Sequence, residues 1–185
     1  MAGNRQSFRS FRDLLNLLLG LTVMKPGGAL RLFSLTGQES RGMVAGWHSS
    51  DPVPLNNGHY LRIATTLEIV DTPEGRRLKT LDSSYQYQLD KEGNRWVFRY
   101  DYLRYPRTSH PAAHFQIRAK LVQDSALRTP QTLERLHFPT SRVSLESIIR
   151  LLVQEFRVKS NQHEDVWRPA LNESEIEFMR IAHRP

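Results

Sequence analysis

The chain has 185 residues, 39% of them hydrophobic and 24% charged, so it can bury an ordinary core and lies outside the disordered and fibrous classes. It contains no cysteine, which excludes disulfides, thiolate metal sites and cysteine nucleophiles and predicts a reducing, cytoplasmic environment. The net charge is +7, and 21 of the 26 basic residues are arginine, whose planar guanidinium suits phosphate oxygens and base edges. Polyanions are therefore the natural partners to test, with the alternative that scattered arginines only hydrate the surface.

The N-terminal segment is predicted to form a basic amphipathic helix over about residues 7–21. Its apolar positions recur with helical spacing: Phe8, Phe11, Leu15, Leu18 and Leu19. Asp13 and Asn16 interrupt the leucine run, which argues against a signal peptide and against a membrane span. We expect this helix to pack on the protein's own sheet, with docking of a protein partner as the alternative.

Residues 29–121 are predicted to form an antiparallel meander of about six strands. Polar loops at 72–75 and 90–94 have the proline, glycine, aspartate and asparagine content of hairpin turns. The candidate strands are residues 29–35, 42–48, 59–70, 76–89, 95–102 and 113–121.

Helical periodicity returns after the sheet, in two segments near residues 144–157 and 172–183. Ser144 is a good N-cap for the first helix, and Asn172 with Glu175 has the spacing of a capping box for the second. The whole pattern predicts a single α+β domain over residues 1–185, with helices packed on an antiparallel sheet.

Motifs for nucleotide, zinc-peptidase and serine-hydrolase chemistry are missing: the chain has no GxGxxG, Walker loop, HExxH or GxSxG. His110, His114 and His137 offer three nitrogens, but their spacing matches no metal-ligand rule. We therefore predict no cofactor and no metal site.

The candidate catalytic residues belong to a cluster of polar and aromatic side chains between Tyr85 and Phe138. Strand alternation places Arg99 and Asp101 on one face, and adjacent pairing would bring them near His114. His110 or His114 would then act as a general base near neutral pH, while Arg99 or Arg118 stabilises charge on a phosphate. The catalytic candidates are His110, His114, Arg99 and Asp101, with the alternative that the histidines only shape a loop.

Basic and aromatic residues around this cluster are candidates for nucleic-acid binding. Tyr85 and Tyr87 are positioned to stack on bases, although an aromatic strand ladder is also typical of core packing. Arg142 precedes the helix capped by Ser144, whose positive N-terminus favours a phosphate. The basic candidates are Arg104, Arg107, Arg118 and Arg142.

Three segments within about residues 84–157 read YQYQLDKEGNRWVFRYD, HPAAHFQIRAKL and LHFPTSRVSLESIIRLLVQEF. Together they resemble the TumE-type toxin proteins of prokaryotic toxin–antitoxin pairs. The resemblance implies a small α+β protein that acts on RNA. Tyr85 and Tyr87 would correspond to the family's tyrosines, and Arg99 and Asp101 to its Arg–Asp strand. His110 and His114 would correspond to its histidines.

Two hypotheses follow from the sequence. The first is a nucleic-acid-facing toxin or defence-type protein, an RNA-binding protein or a metal-independent ribonuclease. The second is a non-enzymatic interaction module, an accessory subunit of a toxin–antitoxin or defence system that meets a partner or antitoxin through the N-terminal helix. We expect no membrane association, and the sequence does not indicate an oligomeric state.

Overall fold

The computed structural model describes residues 2–34, 40–46, 51–73, 75–106, 111–118 and 138–182. Helices lie at both ends of this described part of the chain, with an antiparallel sheet between them, so the predicted α+β class is confirmed. The elements in chain order are α1 (Ala2–Leu21), β1 (Arg31–Ser34), β2 (Arg41–Ala45), β3 (Val53–Pro54), β4 (Tyr60–Thr72), β5 (Gly75–Gln88), β6 (Trp96–Leu103), β7 (Ala113–Ile117), β8 (Phe138–Pro139), α2 (Leu145–Gln154) and α3 (Glu164–Ala182).

The strands form an eight-stranded sheet in the order β1-β2-β4-β5-β6-β7-β8, with β3 paired to the start of β4. β4 to β7 pair antiparallel with their neighbours in sequence, as a meander requires. Each of the six predicted strands has an observed counterpart; the last is observed over Ala113–Ile117, and residues 119–121 of its predicted range lie outside the described residues. β3 and β8 lie outside the predicted strands, because a two-residue strand is too short for alternation to show.

The longest hairpin, β4–β5, is shaped by one glycine and one bulge. Gly75 adopts φ +113 at the turn, a region that L side chains rarely occupy. The register shifts between Thr66 and Leu67, whose partners are Asp82 and Thr80. The bulge thus leaves one residue of β5 unpaired and increases the local twist of the sheet.

The helices pack on one face of the sheet and enclose the core. α2 begins after Ser144, whose Oγ accepts a hydrogen bond from the Ser147 amide at 3.0 Å, as the N-cap prediction requires. Phe156, just beyond α2, packs against Tyr87 and Phe98 with ring centroids 4.8 and 5.5 Å apart. The core draws on both helical ends and the sheet, with fully buried members that include Leu18, Leu19, Leu61, Ile63, Phe98, Tyr100, Ile149 and Leu152.

The helix limits differ from the predicted ones. α1 begins at Ala2 rather than near residue 7, and α2 ends at Gln154 rather than near residue 157. α3 begins at Glu164, eight residues before the predicted start, and contains Pro169. Trp167 and Leu171 are buried on either side of this proline, so tertiary packing keeps the segment helical where local propensity indicates a break.

The predicted capping box at the second C-terminal helix does not cap a helix. Asn172 and Glu175 lie inside α3 and instead accept hydrogen bonds from side chains of the α2 region. Arg150 donates to both of them, and Ser144 and Ser147 donate to Glu175 at 2.8 and 2.6 Å. These polar contacts fasten α3 to α2.

In the described part of the chain, no helix is long and apolar enough to cross a membrane.

Candidate functional site

The side of the sheet opposite the core carries polar side chains, and we call it the polar face. Period-two alternation along the strands puts these residues on the reverse of the buried tyrosines and phenylalanines. Most of them are half-exposed. The polar face includes Arg62, Thr66, Glu68, Lys79, Asp82, Ser84, Gln86, Arg99, Asp101, His114 and Gln116.

Asp101 is the centre of a hydrogen-bond network on the polar face. Ser84 and His114 are its direct partners in register on the two neighbouring strands. The Ser84 hydroxyl donates to Asp101 Oδ1 at 2.7 Å, and Arg99 Nε donates to Oδ2 at 2.6 Å. A second nitrogen of Arg99 donates to Gln116 Oε1 at 2.6 Å. The predicted proximity of Arg99, Asp101 and His114 is thereby confirmed.

His114 is held inside this network rather than presented to solvent. Its Nε2 lies 3.7 Å from Asp101 Oδ2, and its Nδ1 lies 3.3 Å from the carbonyl oxygen of Pro111. The side chain is 13% exposed. Since both ring nitrogens face oxygen atoms, the geometry favours a positioning role over that of a general base, which needs a lone pair directed at its substrate.

Basic and aromatic side chains lie where β6 ends and its following loop begins. Tyr105 is 61% exposed, and Lys79 donates to its hydroxyl at 2.7 Å while the ammonium sits 5.4 Å from the ring centroid. Arg104 Nε donates to the carbonyl of Thr80 at 2.9 Å. Alternation along β6 puts Arg104 on the side of Tyr100 and Tyr102, where its charge adds to the effect of burial in lowering the pKa of Arg142, so it does not belong to the polar face. Lys79 was no candidate from the sequence, because its pairing with Tyr105 depends on the hairpin register.

Arg118 marks the other end of the polar face. It is exposed, and its guanidinium donates to the carbonyl oxygen of Asn94 beside the start of β6. Arg104 and Arg118 therefore lie at opposite ends of β6, about 20 Å apart at the usual rise per strand residue. The Asp101 network lies between them.

Tyr85 and Tyr87 lie on the core side of the sheet, so the prediction that they stack on bases is wrong. They are 6% and 2% exposed, and Tyr85 stacks on Tyr100 with centroids 5.9 Å apart. Burial raises the pKa of both phenols. The core-packing alternative holds for both rings.

Arg142 also lies on the helix side of the sheet, away from the polar face. Its guanidinium sits over the rings of Tyr102 and Phe178, 4.9 and 4.8 Å from their centroids. Burial lowers its pKa, with smaller opposing contributions from nearby tyrosines. It is half-buried beside the N-terminus of α2 and is not placed to meet a nucleic acid lying on the polar face.

Three predicted residues, Arg107, His110 and His137, lie outside the described residues. Within residues 2–34, 40–46, 51–73, 75–106, 111–118 and 138–182, no group of three histidines or carboxylates is arranged to hold a metal ion.

Comparison of the chain with protein-family models, with curated proteins and with solved structures finds no match. The resemblance to TumE-type toxins therefore stays a prediction.

Proposed function

We propose that this protein binds single-stranded RNA across the polar face of its sheet. The observation that carries the proposal is the pairing of Lys79 with the exposed ring of Tyr105 beside the Asp101 network. Sheets that bind single strands combine an aromatic platform for a base with cations that follow the backbone.

The distribution of charge supports a polyanionic ligand. Lys79 lies at one end of β6 and Arg118 at the other, so a cation flanks the network on each side. Arg99 Nε donates to Asp101 Oδ2 at 2.6 Å, and this ion pair fixes the orientation of the Arg99 guanidinium. A guanidinium held in this way loses little side-chain entropy when it meets a phosphate or a base edge.

The ribonuclease hypothesis has narrower support than RNA binding. It rests on the proximity of His114 to Asp101 and Arg99, in a network where both ring nitrogens already face oxygens. RNA binding does not require a free imidazole nitrogen, so the two activities are separable by experiment.

The experiment is a fluorescence-anisotropy titration of a labelled single-stranded RNA at several salt concentrations. Tyr105→Ala removes the ring on which one base would stack, so this variant is expected to bind the RNA about 5- to 150-fold more weakly than the wild type. Lys79→Gln should weaken binding and reduce its salt dependence. Lys25→Gln removes the same charge from an exposed site beside the helices and serves as the matched control.

Two results would contradict the proposal. One is unchanged affinity in Tyr105→Ala, and the other is an equal loss in Lys79→Gln and Lys25→Gln. Equal losses would mean that the positive charge of the whole protein attracts RNA without a site.

A protein partner on α1 is the second candidate function, because two leucines of this helix are exposed. Leu14 and Leu17 are 40% and 56% exposed, whereas Leu15 and Leu18 are buried. Polar replacement of Leu17 would therefore test partner binding without opening the core. Loss of copurification with the product of an adjacent gene in Leu17→Ser, with unchanged RNA binding, would support this function.

A further inference from the structure

A cavity of about 720 Å³ lies between α1, the core side of β4 and β5, and α3. This volume is in the usual range of small-molecule sites. Its apolar walls include Phe11, Leu14, Leu67, Leu78, Leu145 and Phe178. A largely apolar interior with a few polar groups is typical of sites that take an apolar small molecule and orient it by one end.

The Arg142 guanidinium is a partly buried polar group of this cavity that, like the Thr65 hydroxyl, has no hydrogen-bond or ion-pair partner among the described residues. It lines the cavity, and among the described residues no carboxylate lies within ion-pair distance of its guanidinium. The rings of Tyr102 and Phe178 hold it in place. The guanidinium is half-buried and still reaches solvent, so it can pair with an anion that enters the cavity.

Thr65 is the second such group. Its side chain lines the cavity, the residue is 2% exposed, and no described residue hydrogen-bonds to its Oγ1. A buried hydroxyl without a partner is costly in a folded protein. An acceptor atom on a ligand in the cavity would satisfy it.

The charges around the cavity favour an anion. Its lining contains four arginines and two glutamates. Glu146 is buried and accepts a hydrogen bond from the Ser174 hydroxyl, while Glu177 pairs with Arg180 on the next turn of α3. Arg76 pairs with Asp71, whereas Arg142 has no carboxylate within ion-pair distance among the described residues, so Arg142 is the arginine we assign to a ligand's charge.

We propose that this cavity binds an apolar carboxylate, a small molecule whose carboxylate pairs with Arg142 and accepts from Thr65 while its hydrocarbon body lies against the leucines and phenylalanines. The site is on the opposite side of the sheet from the polar face and is independent of the proposed RNA binding. The proposed ligand is a carboxylate because Arg142 is the group that would pair with it. The alternative is an amine that pairs with Glu146.

The test is isothermal titration of the full-length protein with decanoate, decanol and decylamine, each below the concentration at which it aggregates or separates from water. The three probes share one hydrocarbon chain and differ in the head group. We expect decanoate to bind tightest, and Arg142→Gln to weaken it at least about tenfold, the usual effect of losing a charged hydrogen bond. Thr65→Val should weaken decanoate several-fold.

Arg142→Lys and Lys25→Gln are the companion variants. Arg142→Lys keeps the charge, so partial retention of decanoate binding would show that a loss in Arg142→Gln is not a folding defect. Lys25→Gln changes charge away from the cavity and should bind decanoate as the wild type does. Tightest binding of decylamine, equal binding of decanoate and decanol, undiminished binding in Arg142→Gln, or no binding of any probe would overturn the proposal.

Discussion

Two buried threonines allow a direct test of how the cavity is built. Thr65 and Thr22 are 2% and 0% exposed, so both hydroxyls are removed from water. Thr22 Oγ1 donates to the carbonyl oxygen of Leu18 at 2.6 Å, whereas Thr65 Oγ1 has no partner among the described residues. Replacing each by valine removes one hydroxyl and leaves a side chain of the same shape.

The two substitutions should change stability in opposite directions. Thr65→Val removes an unsatisfied buried hydroxyl and places a β-branched apolar residue in a central strand, so the free energy of unfolding should rise by about 1 kcal/mol. Thr22→Val removes a made hydrogen bond and should lower the same free energy by about 1 kcal/mol. For a chain of this size, each change corresponds to a shift in Tm of about 2–4 °C.

The measurement is thermal and urea unfolding of the ligand-free wild type and the two variants, followed by circular dichroism. A loss of stability in Thr65→Val as large as that in Thr22→Val would refute the reasoning, because it would mean that the Thr65 hydroxyl is satisfied. Equal slopes of the urea transitions in the three proteins are needed for the comparison.

Three further outcomes are expected. Gly75→Ala should lower the free energy of unfolding by about 1 kcal/mol or more, since φ +113 is strained for alanine although no atom obstructs its Cβ; unchanged urea unfolding would contradict this. Burial raises the pKa of Glu175, but hydrogen bonds from α2 outweigh it and the net pKa is lowered. Its contribution to stability is therefore present above the ordinary pKa of 4.5 and lost as pH falls through the lowered value, so Glu175→Gln should unfold with a weaker pH dependence below 4.5 than the wild type. Incubation of total RNA with wild type and His114→Ala, with and without EDTA, should show no cleavage that depends on His114, and cleavage by the wild type alone would restore the ribonuclease hypothesis.

Strand alternation was sufficient to predict that Arg99, Asp101 and His114 lie together. Arg99 and Asp101 are two apart in one strand, and His114 lies in the next strand of a meander, so period-two geometry and neighbour pairing bring them together. The hairpin register that pairs Lys79 with Tyr105 depends on a bulge in β5, and no local pattern in the sequence indicates it.

The errors concern which surface of an element is covered. Alternation assigns Tyr85 and Tyr87 to one face, but only the packing of α2 and Phe156 decides that this face is the core. Arg142 was correctly associated with the start of a helix, yet its side of the sheet depends on where that helix packs. The cavity arises from the space between α1 and α3, which no single segment encodes.

The start of α3 shows the limit of local signals at helix ends. Pro169 and the pair Asn172 and Glu175 together indicate a helix that begins after the proline. Burial of Trp167 and Leu171 overrides them, and Glu175 is engaged by α2 instead. Tertiary contacts of this kind are not visible in the periodicity of one segment.

RNA binding on the polar face is tested most directly by locating the contact itself. A single-stranded RNA that contains thiouridine is crosslinked to the protein by light, and the crosslinked peptides are identified by mass spectrometry. We predict crosslinks at Tyr105 and in the peptides that contain Lys79 and Arg99, and their loss in Tyr105→Ala. Crosslinks confined to α1 and α3, on the other side of the sheet, would contradict the proposed interface.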